Sequence, residues 1–434
     1  MARVMARASV KDWNPEDEVF WANTGSRVAR RNLIWSIVTE HLGFSVWLLW
    51  SVIVLALPKA GFDFSVDQLF WLVAVPNLVG AAMRIPYTFA VPKFGGRNWT
   101  VISALLLLIP TAFLTYCVTS HASYGMFVLA AATAGLGGGN FASSMANISF
   151  FYPERRKGFA LGLNAAGGNI GVAVVQVVVP IVIVAGGLAF ASLMWMPLVV
   201  IAAICAWLFM DNLTVAKSSL RSQLGALKRK HTWVMSFLYI GTFGSFIGYS
   251  AAMPLLMKTQ FPEVAVAKYA FLGALVGSFA RPVGGWLADR IGGARVTLGV
   301  FAGMGIGVLV VLHSLATHNF GLFLGSFVGL FMMAGAGNGS TYRMIPAIFR
   351  AQARSSDAAK REGAAVLGIA SSIGAFGGFF IPRSFGNSIA ATGTVDAAFY
   401  GFLTFYAIAF VVTYWFYERK AFTSKVPSLS YARV

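Results

Sequence analysis

Hydrophobic residues run along this chain in long blocks separated by short polar interruptions, rather than alternating or recurring on one face of short helices. A bilayer-spanning helix needs about 20 mostly apolar residues. Blocks that meet the requirement lie at approximately 33–57, 68–91, 99–118, 123–150, 159–186, 187–210, 233–257, 267–290, 295–315, 319–349, 363–389 and 397–418. The fifth and sixth are the least distinct, divided only by Ala185, Gly186 and Gly187. The pattern predicts an all-α integral membrane protein with twelve transmembrane helices. Its longest charged interior loop, 211–232, divides 33–210 from 233–418 as two six-helix halves, flanked by an N-terminal segment 1–32 and a tail 419–434.

Composition strengthens this reading. Of 434 residues, 58% are hydrophobic and only 11% charged, whereas a soluble domain carries about a quarter of its residues as charged side chains. The formal charge of +18 would suggest nucleic acid in a soluble protein, but the map of spans gives it another meaning. With the N-terminus inside, only Lys59, Lys258 and Lys268 fall on the outer side. Arg84, Arg281, Arg343 and Arg383 fall within spans, and the rest of the 33 basic residues line the inner segments. The positive-inside rule then puts both termini in the cytoplasm. The first 32 residues mix Arg with Asp12, Glu16, Asp17 and Glu18 and show no apolar core with a cleavage site, so no secretory signal is expected. Cys117 and Cys205 lie in apolar blocks and the five histidines are scattered, which gives no disulfide or metal pattern. No Ser/His/Asp grouping suggests an enzyme. We expect no cofactor and no nucleic-acid partner, and a monomer surrounded by membrane lipid.

The two halves repeat one another. Gly80, Arg84 and the pair Gly95-Gly96 recur 197 positions later as Gly277, Arg281 and Gly292-Gly293. Ala134–Gly139 and Ala334–Gly339 share the pattern Ala-Gly-x-Gly-x-Gly at an offset of 200. Transporters built from such repeats hold substrate where the repeats meet. The duplication gives Arg84 and Arg281 equivalent places near mid-membrane, each predicted to face a central site. Arg343 and Arg383 lie near the ends of their spans, where snorkelling to the headgroups or a packing role is expected.

A buried arginine is costly, about 2.5–3.5 kcal/mol at the bilayer centre on insertion scales, and it keeps its proton. Two of them call for a small anion. A guanidinium offers a planar fork of donors suited to a flat oxyanion, and Asn140, Asn164, Asn169 and Asn338 supply further amides at membrane depth. Glu40 is the one carboxylate well inside the spans. One turn before Phe44 and next to His41, it is a candidate for exchanging a proton during transport. Gly158 with Gly162, Gly167 with Gly171, and Gly374 with Gly377 and Gly378 predict either close helix contacts or hinges.

GWLADRIGGAR, containing Asp289 and Arg290, resembles the cytoplasmic loop motif of the major facilitator superfamily. AGLGGGNFASSMANISFFYP (134–153) and AGAGNGSTYRMIPAIF (334–349) resemble the two nitrate signatures of the nitrate/nitrite porter (NarK-type) family. The resemblance covers nearly the whole chain. It implies a transporter of nitrate and nitrite whose anion lies between Arg84 and Arg281, with Phe44, Phe141, Tyr239 and Phe243 as aromatic contacts and Asn169 as an amide contact. Those rings, and the identity of the anion, rest on the resemblance alone. From the residues themselves a carboxylate or bicarbonate would also suit two arginines. Coupling is open between nitrate/nitrite exchange and proton-coupled nitrate import.

Overall fold

The computed structural model describes residues 10, 12–214, 225–352, 356–419, 428–430 and 434. Parts of the expected N-terminal segment 1–32 (1–9 and 11), linker 211–232 (215–224) and tail 419–434 (420–427 and 431–433) lie outside the described residues. The described chain is almost wholly helical, and its one β-bridge joins Val10 to Leu213. In order, the helical segments are α1 (Glu18–Ala56), α2 (Val66–Phe94), α3 (Gly96–Thr119), α4 (Tyr124–Phe151), α5 (Glu154–Leu193), α6 (Trp195–Phe209), α7 (Lys230–Gln260), α8 (Ala270–Ile291), α9 (Gly293–Ala316), α10 (Phe320–Gln352), α11 (Ala365–Thr392) and α12 (Asp396–Glu418). Ten are long and apolar enough to cross a membrane. The other two are α6, which is shorter, and α8, 22 residues long, which carries Arg281, Asp289 and Arg290. The segments are consistent with twelve spans. Gly187 adopts φ 81° inside α5, a left-handed conformation that a side chain disfavours, and this breaks the apolar run at the division expected from Ala185 to Gly187.

Two compact units emerge, one comprising 1–62 and 75–219, the other 63–74 and 220–434. Residues 63–74, which include the start of α2, group with the second unit. The physical reason is a cluster of side chains. Arg383 donates from Nη1 to Asp67 Oδ1 at 2.8 Å and lies 4.2 Å over the Trp71 ring. Phe70 meets Phe385, and Trp71 meets Phe379. Arg383 is therefore tied to an ion pair with its side chain only 11% exposed, the packing role of the two alternatives offered by its place near the end of its span. Pro76 lies two residues beyond the 63–74 segment within α2.

Each unit is built the same way. In the first, α1 packs on α4 and α5, and α2 crosses α4 where a Cβ on Gly138 would lie 2.7 Å from Gly80 Cα. In the second, α7 packs on α11, and α8 crosses α10 where a Cβ on Gly335 would lie 2.1 Å from the Gly277 carbonyl oxygen. The repeat also sets the turns: Gly95 and Gly292 take φ 83° and 94° as α2 passes to α3 and α8 to α9. The next helix is capped in each unit. Arg97 N–H donates to Asn212 Oδ1 at 2.9 Å, and Ala294 N–H donates to the Val434 carbonyl at 2.9 Å.

The glycines of α5 divide into two kinds. A Cβ on Gly167 or Gly171 would strike Ile37 or the His41 carbonyl of α1, while Gly158 and Gly162 face open space. Gly377 of α11 meets Gly244 of α7 in the same close manner. Close helix contact explains Gly167, Gly171 and Gly377.

Candidate functional site

In the first unit the site is centred on Arg84, which is fully buried on α2. Its Nε donates to the Gly138 carbonyl at 3.2 Å, an approach allowed by the missing side chains at the α2–α4 crossing. The guanidinium carbon lies 4.6 Å from the centre of the Phe141 ring and 5.6 Å from that of Trp47. A cation over a ring face is attracted by the ring's quadrupole, and the attraction grows as water is removed. Phe44 completes the aromatic wall, 6.1 Å from Phe141 and edge-on to Trp47 at 5.3 Å. Trp47 is held in place by its indole N–H, which donates to the Pro76 carbonyl at 2.9 Å. The sequence singled out Phe44 and Phe141 through resemblance but not Trp47, although Trp47 stands one turn from Phe44 on the same face.

In the second unit Arg281 is buried on α8. Its guanidinium carbon lies 5.5 Å from the Tyr342 ring centre, and Tyr342 in turn lies 6.2 Å from Tyr239. Tyr239 and Phe243 are fully buried and stacked at 5.3 Å with an interplanar angle of 17°. Residues Ile240–Gly244 form a π-helical turn between them, a local widening that often marks functional positions. A Cβ on Gly374 would lie 2.6 Å from the Tyr239 ring, so the bare backbone of α11 makes room for it. Tyr342 connects Arg281 to Tyr239 and was not anticipated, though it stands three residues after the last glycine of the α10 motif, within the 334–349 signature.

The four amides have different surroundings. Asn164 donates to Glu40 Oε2 at 2.7 Å and also bonds to Ser144, so it serves Glu40 rather than a free donor position. Asn140, Asn169 and Asn338 are each buried, and neither amide atom of any of them has a hydrogen-bond partner among the described residues.

Glu40 is fully buried on α1. Besides Asn164, Ser144 donates to its Oε2, and Ser144 also exchanges a hydrogen bond with Ser36 at 3.1 Å. A Cβ on Gly168 would lie 2.5 Å from Glu40 Oε1, so the backbone of α5 closes over the carboxylate. His41 faces elsewhere, its Nδ1 lying 3.1 Å from the Gly167 carbonyl. Ser144, three residues after Phe141 on α4, links the Glu40 cluster to the helix that carries the ring beneath Arg84.

At the motif between α8 and α9, Asp289 pairs with Arg343 of α10, and Arg290 lies 4.0 Å over Trp286. Arg343 therefore pairs at the end of α8 with its side chain half exposed. Among the described residues no three His, Cys, Asp or Glu side chains converge as metal ligands would.

Each unit thus holds one buried guanidinium beside aromatic rings. Residues 42–382 match the family model described as Major Facilitator Superfamily. The chain is 44% identical to the nitrate/nitrite transporter NarU of Salmonella typhimurium, covering 95% of this chain and 97% of the relative. It is 42% identical to NarU of Escherichia coli, with coverage of 97% and 98%. The probable nitrate/nitrite antiporter NarK2 of Thermus thermophilus is 36% identical, with coverage of 95% and 97%. Among solved structures, a D-xylose-proton symporter superposes with a TM-score of 0.68 at 15% identity, over 89% of this chain and 97% of that one. A bacterial homologue of the human lysosomal transporter Spinster gives 0.65 at 16%, over 89% and 96%. At such identities the structural matches bear on the fold alone.

Proposed function

The chain belongs to the Major Facilitator Superfamily and within it to the nitrate/nitrite porter family, and from that premise we propose that its two buried arginines hold the transported anion during alternating access. The protein is a multi-pass membrane transporter of nitrate and nitrite, not an enzyme. We place it in the cytoplasmic membrane with both termini inside, a reading that the distribution of basic residues supports.

The observation that carries this reading is the matched burial of Arg84 and Arg281 at repeat-equivalent positions, each against an aromatic wall. Guanidinium groups present paired N–H donors in the plane of a trigonal oxyanion, and the rings keep competing water out. Neither arginine sheds its proton, so anion entry offsets the electrostatic cost of the empty site. Return of the empty site is correspondingly unfavourable, which favours exchange of one anion for another.

The Glu40 cluster supports a second mode of coupling. A carboxylate held by Asn164 and Ser144 on the helix face that carries Phe44 is placed to take up and release a proton as the site reorganises. On this reading nitrate enters with protons. Reconstituted flux separates the modes: exchange requires nitrite on the opposite side, whereas symport proceeds without it and accelerates with an inward proton gradient. Competition by nitrite but not by lactate or phosphate would favour nitrate over a carboxylate substrate. The reverse pattern would replace the substrate assignment.

A further inference from the structure

We propose that Asn338 is a further anion-contacting residue, donating its amide N–H to the nitrate or nitrite held by Arg281. The proposal rests on the anion-carrier reading above and names one more member of its site. The starting point is an apparent defect. Asn338 is fully buried, and neither its Oδ1 nor its Nδ2 has a hydrogen-bond partner among the described residues. Leaving a buried polar group unsatisfied costs about 1–3 kcal/mol, and a structural role would supply partners.

Its neighbours along α10 fix where the amide points. Successive helical positions are about 100° apart. Gly337 and Thr341 face α7: a Cβ on Gly337 would lie 2.6 Å from Thr242, and Thr341 bonds to Thr242 at 3.1 Å. Gly335 and Gly339 face α8, where Cβ atoms would lie 2.1 Å from the carbonyl oxygens of Gly277 and Arg281 respectively. Asn338 falls angularly between these two sets, toward the wedge that α7 and α8 form. One turn further, on the same side, Tyr342 meets both Arg281 and Tyr239. Because Gly339 sits on the Arg281 carbonyl, Asn338 is also at the depth of Arg281.

Two of the other amides fit differently. Asn164 is engaged by Glu40, and Asn140 packs its amide against Gly43, where a Cβ would lie 2.6 Å from Nδ2. Nitrate and nitrite accept hydrogen bonds and donate none, so Asn338 would meet them through Nδ2 with Oδ1 turned to a donor such as a guanidinium N–H.

The test uses Asn338→Leu, which keeps the approximate shape and removes both polar atoms. Thermal unfolding of the purified full-length protein is followed in detergent with increasing sodium nitrate or nitrite, sodium chloride serving as the ionic-strength control. Ligand that binds the folded state raises the melting temperature by mass action. Without anion, the Leu variant should melt at or above the wild-type temperature, because an unsatisfied amide has been replaced by an apolar group. The nitrate concentration giving half of the maximal upward shift should rise at least tenfold. A merely structural Asn338 would give the opposite pattern, a lower melting temperature with an unchanged nitrate midpoint, and would overturn the proposal. Where the Leu variant does not fold, Asn338→Ala carries the same comparison of midpoints. A wild-type protein that responds to neither anion would remove the anion reading itself, and the proposal with it.

Discussion

The guanidinium carbon of Arg84 lies 4.6 Å from the centre of the Phe141 ring. The ring stabilises the buried charge and fixes the plane in which its donors are offered. Replacing Phe141 by Leu keeps most of the apolar volume and removes the quadrupole. A cation–π contact in a desolvated place contributes about 0.5–2 kcal/mol, so the half-saturating nitrate concentration should rise roughly three- to thirtyfold, measured as uptake into proteoliposomes. An unchanged value would make Phe141 a packing residue only.

Glu40→Gln should separate the two modes of coupling. The amide retains an acceptor for Asn164 and Ser144 but has no proton to exchange. Nitrate/nitrite exchange should persist within a few-fold, while acceleration of nitrate uptake by an inward proton gradient should disappear. Gradient-driven uptake that survives in the variant would remove Glu40 from proton transfer.

The helix crossings should respond to single methyl groups. Gly335→Ala and Gly138→Ala place a Cβ 2.1 Å and 2.7 Å from backbone atoms of α8 and α2, and overpacking of this kind costs about 1–3 kcal/mol. Both should lower the melting temperature by several degrees. Gly158→Ala faces open space on α5 and should be neutral or stabilising, since Ala is favoured over Gly in a helix by about 1 kcal/mol.

The pairing of Asp67 with Arg383 makes a local prediction. Asp67→Asn removes the charge that Arg383 faces and leaves the guanidinium with Trp71 and Asn387. Amide hydrogen exchange across 63–74 should accelerate in the variant, while exchange in the middle of α7 stays slow. The double exchange Asp67→Arg with Arg383→Asp should restore part of the protection. Unchanged exchange at 63–74 would show that Phe70 and Phe385 alone hold the segment.

Features carried by short-range pattern were legible in the sequence. Arg84 and Arg281 were visible because two charges in apolar blocks stand out and because the same spacing to glycines occurs twice. The break at Gly187 was visible as a glycine pair in an apolar run. Contacts between distant segments left no such trace. Asn164 and Ser144 are polar residues at spacings with no signature, and only folding brings them to Glu40, more than 100 positions earlier in the chain. Snorkelling and packing stayed open for Arg383 because its partner Asp67 is 316 positions away. Asn338 was one of four similar amides until its neighbours on α10 showed which way it faces.

The most direct test of the anion site is nitrate flux in proteoliposomes containing wild-type protein, Arg84→Lys or Arg281→Lys, at equal incorporation and with melting temperatures measured in parallel. Lysine keeps the positive charge but replaces the planar fork with a point ammonium. The expected result is that each variant folds and loses flux by a factor of roughly a hundred or more, as expected when charge-assisted hydrogen bonds of about 1.5–3 kcal/mol each are lost. Near-normal flux in either variant would contradict the assignment and move the anion site away from that arginine.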